Sequence, residues 1–229
     1  MAELTASCRK YRIFCLSGWG KVPNGIYFPQ LLAHLATHGH TVIPATEPAS
    51  NGDVQRHVAN LADLVDRHGG VGPDCVFIGQ SIGSQIIMRF LSSRPAATFS
   101  VRAWVSVGGW LRLARPFKGT EPWCDFSTVD TERLRAICPT VRVLISSDDA
   151  IVGLGAEEHE ASWRSGVPWA RLRIASDRGH YIVPSLLEDE LRFIMDAING
   201  DGSDTGTATV AAAPAAEAET ETGTSDGKL

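Results

Sequence analysis

Short apolar runs recur along the chain, and most of them are separated by segments with helical spacing. The runs are rich in β-branched and other apolar residues, which predicts strands at residues 12–17, 41–45, 74–79, 101–107, 141–146 and 170–175. They are apolar throughout rather than alternating. This pattern is typical of a sheet that is buried on both faces.

Between these runs, apolar residues recur every three or four positions, which predicts helices at residues 28–35, 54–65, 82–91 and 187–198. Asp53 is placed to cap the second helix, and Ser185-Leu-Leu-Glu188 has the pattern of a capping box that opens the last one. Strands that alternate with helices indicate an α/β fold, with a mostly parallel sheet of about six strands and helices on both faces.

Two segments break this alternation. Residues 108–130 are rich in Gly, Pro and aromatic residues and have no clean period, which is typical of a lid or binding loop. Residues 200–229 contain no aromatic residue and almost no large aliphatic one, so we expect them to be disordered. The sequence therefore predicts one α/β domain over residues 1–199 and an acidic Ala/Thr/Gly-rich tail over residues 200–229.

The distribution of charge narrows the function classes. The formal net charge of −5 belongs to the predicted tail, which leaves 20 acidic and 20 basic residues in the body. A neutral body gives no support for nucleic-acid binding, which needs a basic surface. No apolar run approaches the roughly 20 residues that a bilayer span requires, and no signal peptide is visible. We expect a cytoplasmic protein that binds neither nucleic acid nor membrane.

The cysteines give no sign of a metal or redox site. There are five of them, in no paired spacing and without a CxxC motif. Cys15 and Cys75 lie inside predicted strands and are expected to be small core residues. The sequence implies no metal and no organic cofactor.

The clearest chemical signal is Gly79-Gln80-Ser81-Ile82-Gly83, which matches the pattern G-x-S-x-G. It lies between a predicted strand and a predicted helix, the setting of a nucleophile elbow. The strained turn would present the Ser81 hydroxyl at the carboxyl edge of the sheet. Ser81 is therefore the predicted nucleophile, and the alternative is a plain helix cap.

A serine hydroxyl needs a base to take its proton, and only His159 and His180 follow Ser81 along the chain. His159 is flanked by three glutamates, which predicts an exposed acidic helix face. His180 lies in the loop between the last predicted strand and the last helix. We predict His180 as the base.

The acid that orients this base should follow the strand at residues 141–146. Asp148 and Asp149 both qualify, and we favour Asp149 with Asp148 as the alternative. Glu121 and Asp125, in the irregular segment, are weaker alternatives. The acid would fix the tautomer of His180 and stabilise its imidazolium form.

An oxyanion hole needs two N–H donors. One is expected from the backbone of Ile82, directly after the nucleophile, and the other from Trp19, in the glycine-rich loop after the first strand. That loop lacks the third glycine of a dinucleotide-binding turn. Trp19, Trp110 and Trp123 are expected to wall an apolar substrate pocket, although core packing explains tryptophans equally well.

Together, four segments resemble the α/β-hydrolase superfamily: residues 16–20, 78–83, 146–149 and 179–180. The compact size, with Glu121-Pro-Trp123 and Leu134-Arg-Ala-Ile-Cys138-Pro139, is similar to the small serine-hydrolase branch that includes retinoblastoma-binding protein nine and its bacterial relatives. The resemblance covers about residues 11–198. It implies a Ser–His–Asp triad that hydrolyses an ester, thioester or similar acyl bond. Gln80, Ser17 and Gly153 depart from the residues common there.

The leading hypothesis is therefore a serine hydrolase acting on a small-molecule acyl substrate through an acyl-enzyme. An alternative is acyl transfer or an editing thioesterase that acts on carrier- or coenzyme-bound acyl groups. Arg112, Arg115 and Lys118 motivate it, because they could meet a phosphate or an acidic acyl-carrier protein. A non-catalytic binding protein that retains the fold is the third hypothesis.

Overall fold

The computed structural model describes residues 9–20, 25–46, 52–95 and 100–200, together with the backbone of residues 209–210. Seven strands are present in this part of the chain: β1 Arg12–Leu16, β2 Thr41–Pro44, β3 Cys75–Gln80, β4 Ala103–Val107, β5 Val141–Ser146, β6 Arg171–Ala175 and β7 Thr209–Val210. It also contains six α-helices: α1 Phe28–Thr37, α2 Val54–Arg67, α3 Ile82–Ser92, α4 Thr131–Ile137, α5 Ala156–Gly166 and α6 Glu188–Asn199.

The strands form one sheet in the order β2-β1-β3-β4-β5-β6-β7, and every neighbouring pair is parallel. The six predicted strands are confirmed, with ends that differ by no more than two residues. The seventh has only two residues and lies in the segment expected to be disordered. The rest of that tail, residues 201–208 and 211–229, is outside the described residues. Parallel pairing brings all carboxyl ends to one edge, where ligands bind in such folds.

Helices cover both faces of the sheet, as predicted. Every residue of β3, β4 and β5 is buried, because each face packs against its own apolar layer. One layer includes Phe77, Phe90 and Trp104, and the other includes Phe28 and Ile194. Cys15 and Cys75 are buried free thiols, as expected. No described helix is both long and apolar enough to cross a bilayer.

The predicted cap of α2 is confirmed, since Asp53 Oδ1 accepts the Arg56 N–H at 3.0 Å. Residues 108–130 are irregular as expected, with only two single-turn 3₁₀ helices at Glu121–Trp123 and Phe126–Thr128. Two more helices flank β5: α4 before it was not predicted, and α5 after it was anticipated only as the helix face assigned to His159.

The predicted capping box at Ser185 and Glu188 is wrong, because α6 begins only at Glu188. The backbone before it is bonded to other parts of the fold. Leu186 N–H donates to Gln30 Oε1 at 2.7 Å, and the Ser185 carbonyl accepts from the Arg178 guanidinium. The first turn is capped two residues later than predicted, where Glu190 Oε2 accepts the N–H of the N-cap residue Leu187 at 2.8 Å.

Candidate active site

Ser81 occupies a strained turn between β3 and α3, with φ 53° and ψ −123°. The two glycines of the motif are required there by close packing. A Cβ on Gly79 would lie 2.6 Å from Ser84 N, and one on Gly83 would lie 2.6 Å from the Leu16 carbonyl oxygen. No side chain fits at either position, so the motif produces the sharp turn that presents Ser81 at the carboxyl edge of the sheet.

The structure brings together the three side chains predicted to act as nucleophile, base and acid. Ser81 Oγ lies 2.6 Å from His180 Nε2, and His180 Nδ1 lies 2.7 Å from Asp149 Oδ2. Ser81 and His180 are each 7% exposed and Asp149 is 3% exposed. With Nδ1 donating to the carboxylate, Nε2 of the neutral imidazole is free to accept the serine proton.

Asp149 is fixed by its own backbone turn. Its Oδ1 accepts the N–H groups of Ile151 and Val152, each at 3.0 Å, which leaves Oδ2 for His180. The adjacent Asp148 faces elsewhere, and its Oδ1 accepts the Gly179 N–H at 3.0 Å. The geometry therefore favours Asp149 of the two neighbouring carboxylates as the partner of His180.

The weaker alternative acids are both bonded within the irregular segment. Glu121 Oε2 accepts the Gly119 N–H at 2.7 Å, and Asp125 Oδ1 accepts the Ser127 N–H at 3.0 Å. These local bonds account for both carboxylates without any role at His180.

The two predicted oxyanion donors lie in segments that border Ser81. Ile82 is the first residue of α3, where backbone N–H groups have no acceptor within the helix. The loop that carries Trp19 also lies close to Ser81, since a Cβ on Gly18 would overlap the Gln80 side chain and lie 3.3 Å from Ser81 Cβ. Trp19 is partly buried, and its ring meets that of Phe117 edge-on at 6.0 Å.

The other two tryptophans expected in the pocket lie in the core. Trp123 is 0% exposed and Trp110 is also buried, so neither ring forms an open wall. Arg89, on α3, ties this region to the nucleophile helix: its Nη2 donates to the carbonyls of Trp123 and Asp125 at 2.9 Å each. Burial lowers the pKa of Arg89 to about 10.

His159 corrects a second expectation. It is not on an exposed acidic face, because its side chain is 1% exposed and Nε2 donates to the Gly109 carbonyl at 3.0 Å. Burial lowers the pKa of His159, while the charges of Asp149 and His180 act on it in opposite directions. Trp163, one helical turn later, is also buried. Residues four positions apart lie on the same helix face, so the pair His159 and Trp163 could have indicated a buried face in spite of the flanking glutamates.

The sequence also gave no indication that Gln80 contacts the main chain of His180. The Gln80 side chain is buried next to Ser81, and its Nε2 donates to the His180 carbonyl at 3.2 Å. The residue before the nucleophile therefore fixes the main chain of the base.

Exposed apolar side chains surround this edge of the sheet. Ile151 and Ile182 follow Asp149 and His180 by two residues each, and Phe117, at 44% exposure, packs on Trp19. A groove of about 620 Å³ runs beside Phe117 and Ile151 and is also lined by Ala114, Arg115 and the other residues of 150–153.

Comparisons with known proteins identify the fold but not a close relative. No family model matches the sequence, and no curated protein matches it. The ydeN gene product from B. subtilis superposes with a TM-score of 0.66 at 16% identity, over 82% of this chain and 98% of that one. A structure from a study of carboxylesterases of the thaumarchaeon Nitrososphaera gargenis gives 0.57 at 15% identity, over 82% and 89%.

A predicted CIB-like hydrolase from Thermoplasma acidophilum gives a TM-score of 0.57 at 16% identity, over 86% of this chain and 89% of that one. At sequence identities this low, the superpositions establish a shared fold and nothing more specific. Membership of the branch around retinoblastoma-binding protein nine stays a prediction.

Proposed function

We propose that this chain, which has the α/β-hydrolase fold, is a serine hydrolase that cleaves an ester or thioester bond through an acyl-enzyme. The observation that carries the proposal is the unbroken hydrogen-bonded series from Ser81 through His180 to Asp149, at 2.6 and 2.7 Å. Such a series is what a weak nucleophile needs for activation.

In the proposed mechanism, Ser81 Oγ attacks the substrate carbonyl carbon while His180 Nε2 takes the hydroxyl proton. Asp149 stabilises the imidazolium that forms. The carbonyl oxygen becomes an oxyanion, stabilised by the N–H groups of Ile82 and Trp19. His180 then gives its proton to the leaving alcohol or thiol as the carbon–oxygen or carbon–sulfur bond breaks.

Deacylation reverses these roles. A water molecule attacks the acyl carbon of the Ser81 ester while His180 takes a proton from the water. As the second oxyanion collapses, the bond from the acyl carbon to Ser81 Oγ breaks and His180 returns the proton to Oγ, which releases the carboxylic acid and regenerates the serine hydroxyl. No metal or organic cofactor enters either half of the reaction.

The surroundings of Ser81 support an apolar substrate group. Phe117, Ile151 and Ile182 are exposed large hydrophobics at this edge, where a substrate could cover them. The groove beside Phe117 and Ile151 has the size of a small-ligand site. We therefore expect kcat/KM to rise with the length or bulk of an apolar acyl or alcohol group.

The test is hydrolysis of a p-nitrophenyl ester series and matched thioesters by wild-type protein, Ser81→Ala and His180→Ala. We expect both variants to lower kcat by about 10⁴-fold or more. Ser165→Ala, at an exposed position of α5, is the matched control and should keep wild-type activity. Turnover by Ser81→Ala at the wild-type rate would refute the proposal.

One observation favours the second candidate, a thioesterase or acyltransferase acting on carrier-bound acyl groups. Arg112, Arg115 and Lys118 are all exposed, and Arg115 lines the groove. An acidic carrier protein would meet these cations, and its kcat/KM would fall with added salt. Equal, salt-independent kcat/KM for a carrier thioester and a short free thioester would exclude carrier recognition.

The third candidate, a non-catalytic binding protein, rests only on the fact that a fold does not prove chemistry. Ester hydrolysis that disappears in His180→Ala would exclude it.

A further inference from the structure

The loop between β6 and α6 that carries His180, called here the His180 loop (residues 176–181), has a backbone that needs support. Asp177 and Tyr181 have φ of 59° and 55° although neither is glycine, and Gly179 has φ of 51°. Strained residues of this kind persist where surrounding contacts over-determine them. Two carboxylates outside the Ser81–His180–Asp149 series provide such contacts.

The first carboxylate is Asp148, which holds the loop from the end of β5. Its Oδ1 accepts the N–H groups of Gly179 at 3.0 Å and Arg178 at 3.3 Å, and the Ser146 hydroxyl donates to the same oxygen. The bond from Ser146 is the main reason that the pKa of Asp148 lies below its ordinary value. Because Asp149 is the next residue, this contact fixes the His180 loop relative to the acid.

The second carboxylate is Glu190, which holds the loop from α6. Its Oε2 accepts from Arg178 Nη2 at 2.8 Å and from the Leu187 N–H at 2.8 Å. The same Nη2 donates to the Ser185 carbonyl at 2.7 Å. The side chains of Arg178 and Glu190 are 12% and 1% exposed, so this ion pair is nearly excluded from water.

A buried ion pair is weak support for stability, because desolvation offsets much of the attraction. It does impose a defined geometry, since the guanidinium must meet both a carboxylate and a carbonyl. Here that geometry is imposed two residues before His180.

We propose that Asp148, Arg178 and Glu190 are positioning residues that hold the His180 loop so that the imidazole spans Ser81 and Asp149. The proposal rests on the proposed function, in which His180 is the base. Displacement of a reacting group by about 1 Å can cost about 100-fold in rate. Loosening either contact should therefore lower kcat and leave KM nearly unchanged.

The test compares Asp148→Asn and Glu190→Gln with two matched controls. Asp177→Asn removes an exposed carboxylate from the same loop, and asparagine tolerates positive φ. Glu188→Gln removes an exposed carboxylate from the same helical turn as Glu190. The readouts are the Nδ1 proton resonance of His180 in NMR spectra, assigned by its loss in His180→Ala, and the rate of Ser81 modification by a fluorophosphonate.

We expect Asp148→Asn and Glu190→Gln to broaden or remove the Nδ1 proton resonance and to slow modification about tenfold or more. Both controls should keep the resonance and stay within about twofold of wild type. Since Glu190→Gln leaves Arg178 as an unpaired buried cation, the double variant Arg178→Met/Glu190→Gln is included, because it removes both charges.

Variants that are folded by circular dichroism and keep the wild-type resonance and rate would overturn the positioning role. The two proposals fail separately. A wild-type protein that shows the resonance, loses it in Asp148→Asn and is never modified at Ser81 would refute the proposed function and support the positioning role, because the resonance reports geometry alone.

Discussion

Gly83→Ala is a sharp test of the close packing behind Ser81. Gly83 lies in the first turn of α3, where alanine in open space would stabilise the helix by about 0.5–1 kcal/mol. The space is not open, because the new Cβ would lie 2.6 Å from the Leu16 carbonyl oxygen and 2.9 Å from that of Ser17. Both contacts are with backbone, so a rotamer change cannot relieve them.

The expected result follows from moving that backbone. Overpacking of this kind costs about 1–3 kcal/mol, so Gly83→Ala should be destabilised in spite of its higher helix propensity. The displaced segment leads directly to Trp19. Loss of one oxyanion donor lowers kcat by about 10²–10³-fold, and we expect a decrease of that order.

Urea unfolding and ester turnover measure the two effects on one preparation. Gly155→Ala is the matched control, because its φ of −62° suits alanine and a Cβ there would meet nothing within 4 Å. It should stay within about 0.5 kcal/mol of wild type. If Gly83→Ala is as stable and as active as Gly155→Ala, the reasoning about the turn is refuted.

Three further outcomes are expected. His159→Gln keeps a donor for the Gly109 carbonyl, and it should lose less stability than wild type between about pH 7.5 and pH 5.5 in urea unfolding. The reason is that burial lowers the pKa of His159 from its ordinary 6.5, so acid favours the wild-type unfolded state. Arg89→Ala removes donors from two carbonyls of residues 108–130, and trypsin should cleave that segment about tenfold faster. Phe117→Ala should raise KM for apolar esters about fivefold with kcat within twofold.

Each of these outcomes has a clear opposite. A pH dependence of unfolding that is the same in His159→Gln and wild type would show that His159 is not the group resisting protonation. Unchanged trypsin cleavage in Arg89→Ala would separate Arg89 from the order of residues 108–130. A fall in kcat alone for Phe117→Ala would place Phe117 in the chemistry rather than in substrate binding.

The sheet could be predicted because its central strands β3, β4 and β5 are largely apolar and are buried on both faces, whereas β2 and β6, farther out in the sheet, are only partly buried. The strand order could not, since the apolar runs are chemically alike and nothing local makes β1 pair with both β2 and β3. The start of α6 was misplaced for a related reason. Leu186 is bonded to Gln30, which lies 156 residues earlier in the chain.

The residues of the candidate active site also differ in how far local sequence predicts them. Ser81 is marked by two glycines in its own turn, and His180 by its place after the last predicted strand, β6. Asp148 and Asp149 are adjacent carboxylates with the same local sequence, and only the N–H groups of Ile151 and Val152 direct one of them toward His180. His159 was assigned to the surface because charged neighbours dominate its segment, whereas helix periodicity directs their side chains away from its buried face.

The central claim, that Ser81 is a nucleophile activated by His180, is tested most directly by mass spectrometry after incubation with a fluorophosphonate. We predict one adduct per chain, mapped to the peptide that contains Ser81, and its absence in both Ser81→Ala and His180→Ala. A folded wild-type protein without an adduct at Ser81, or His180→Ala modified at the wild-type rate, would contradict the account.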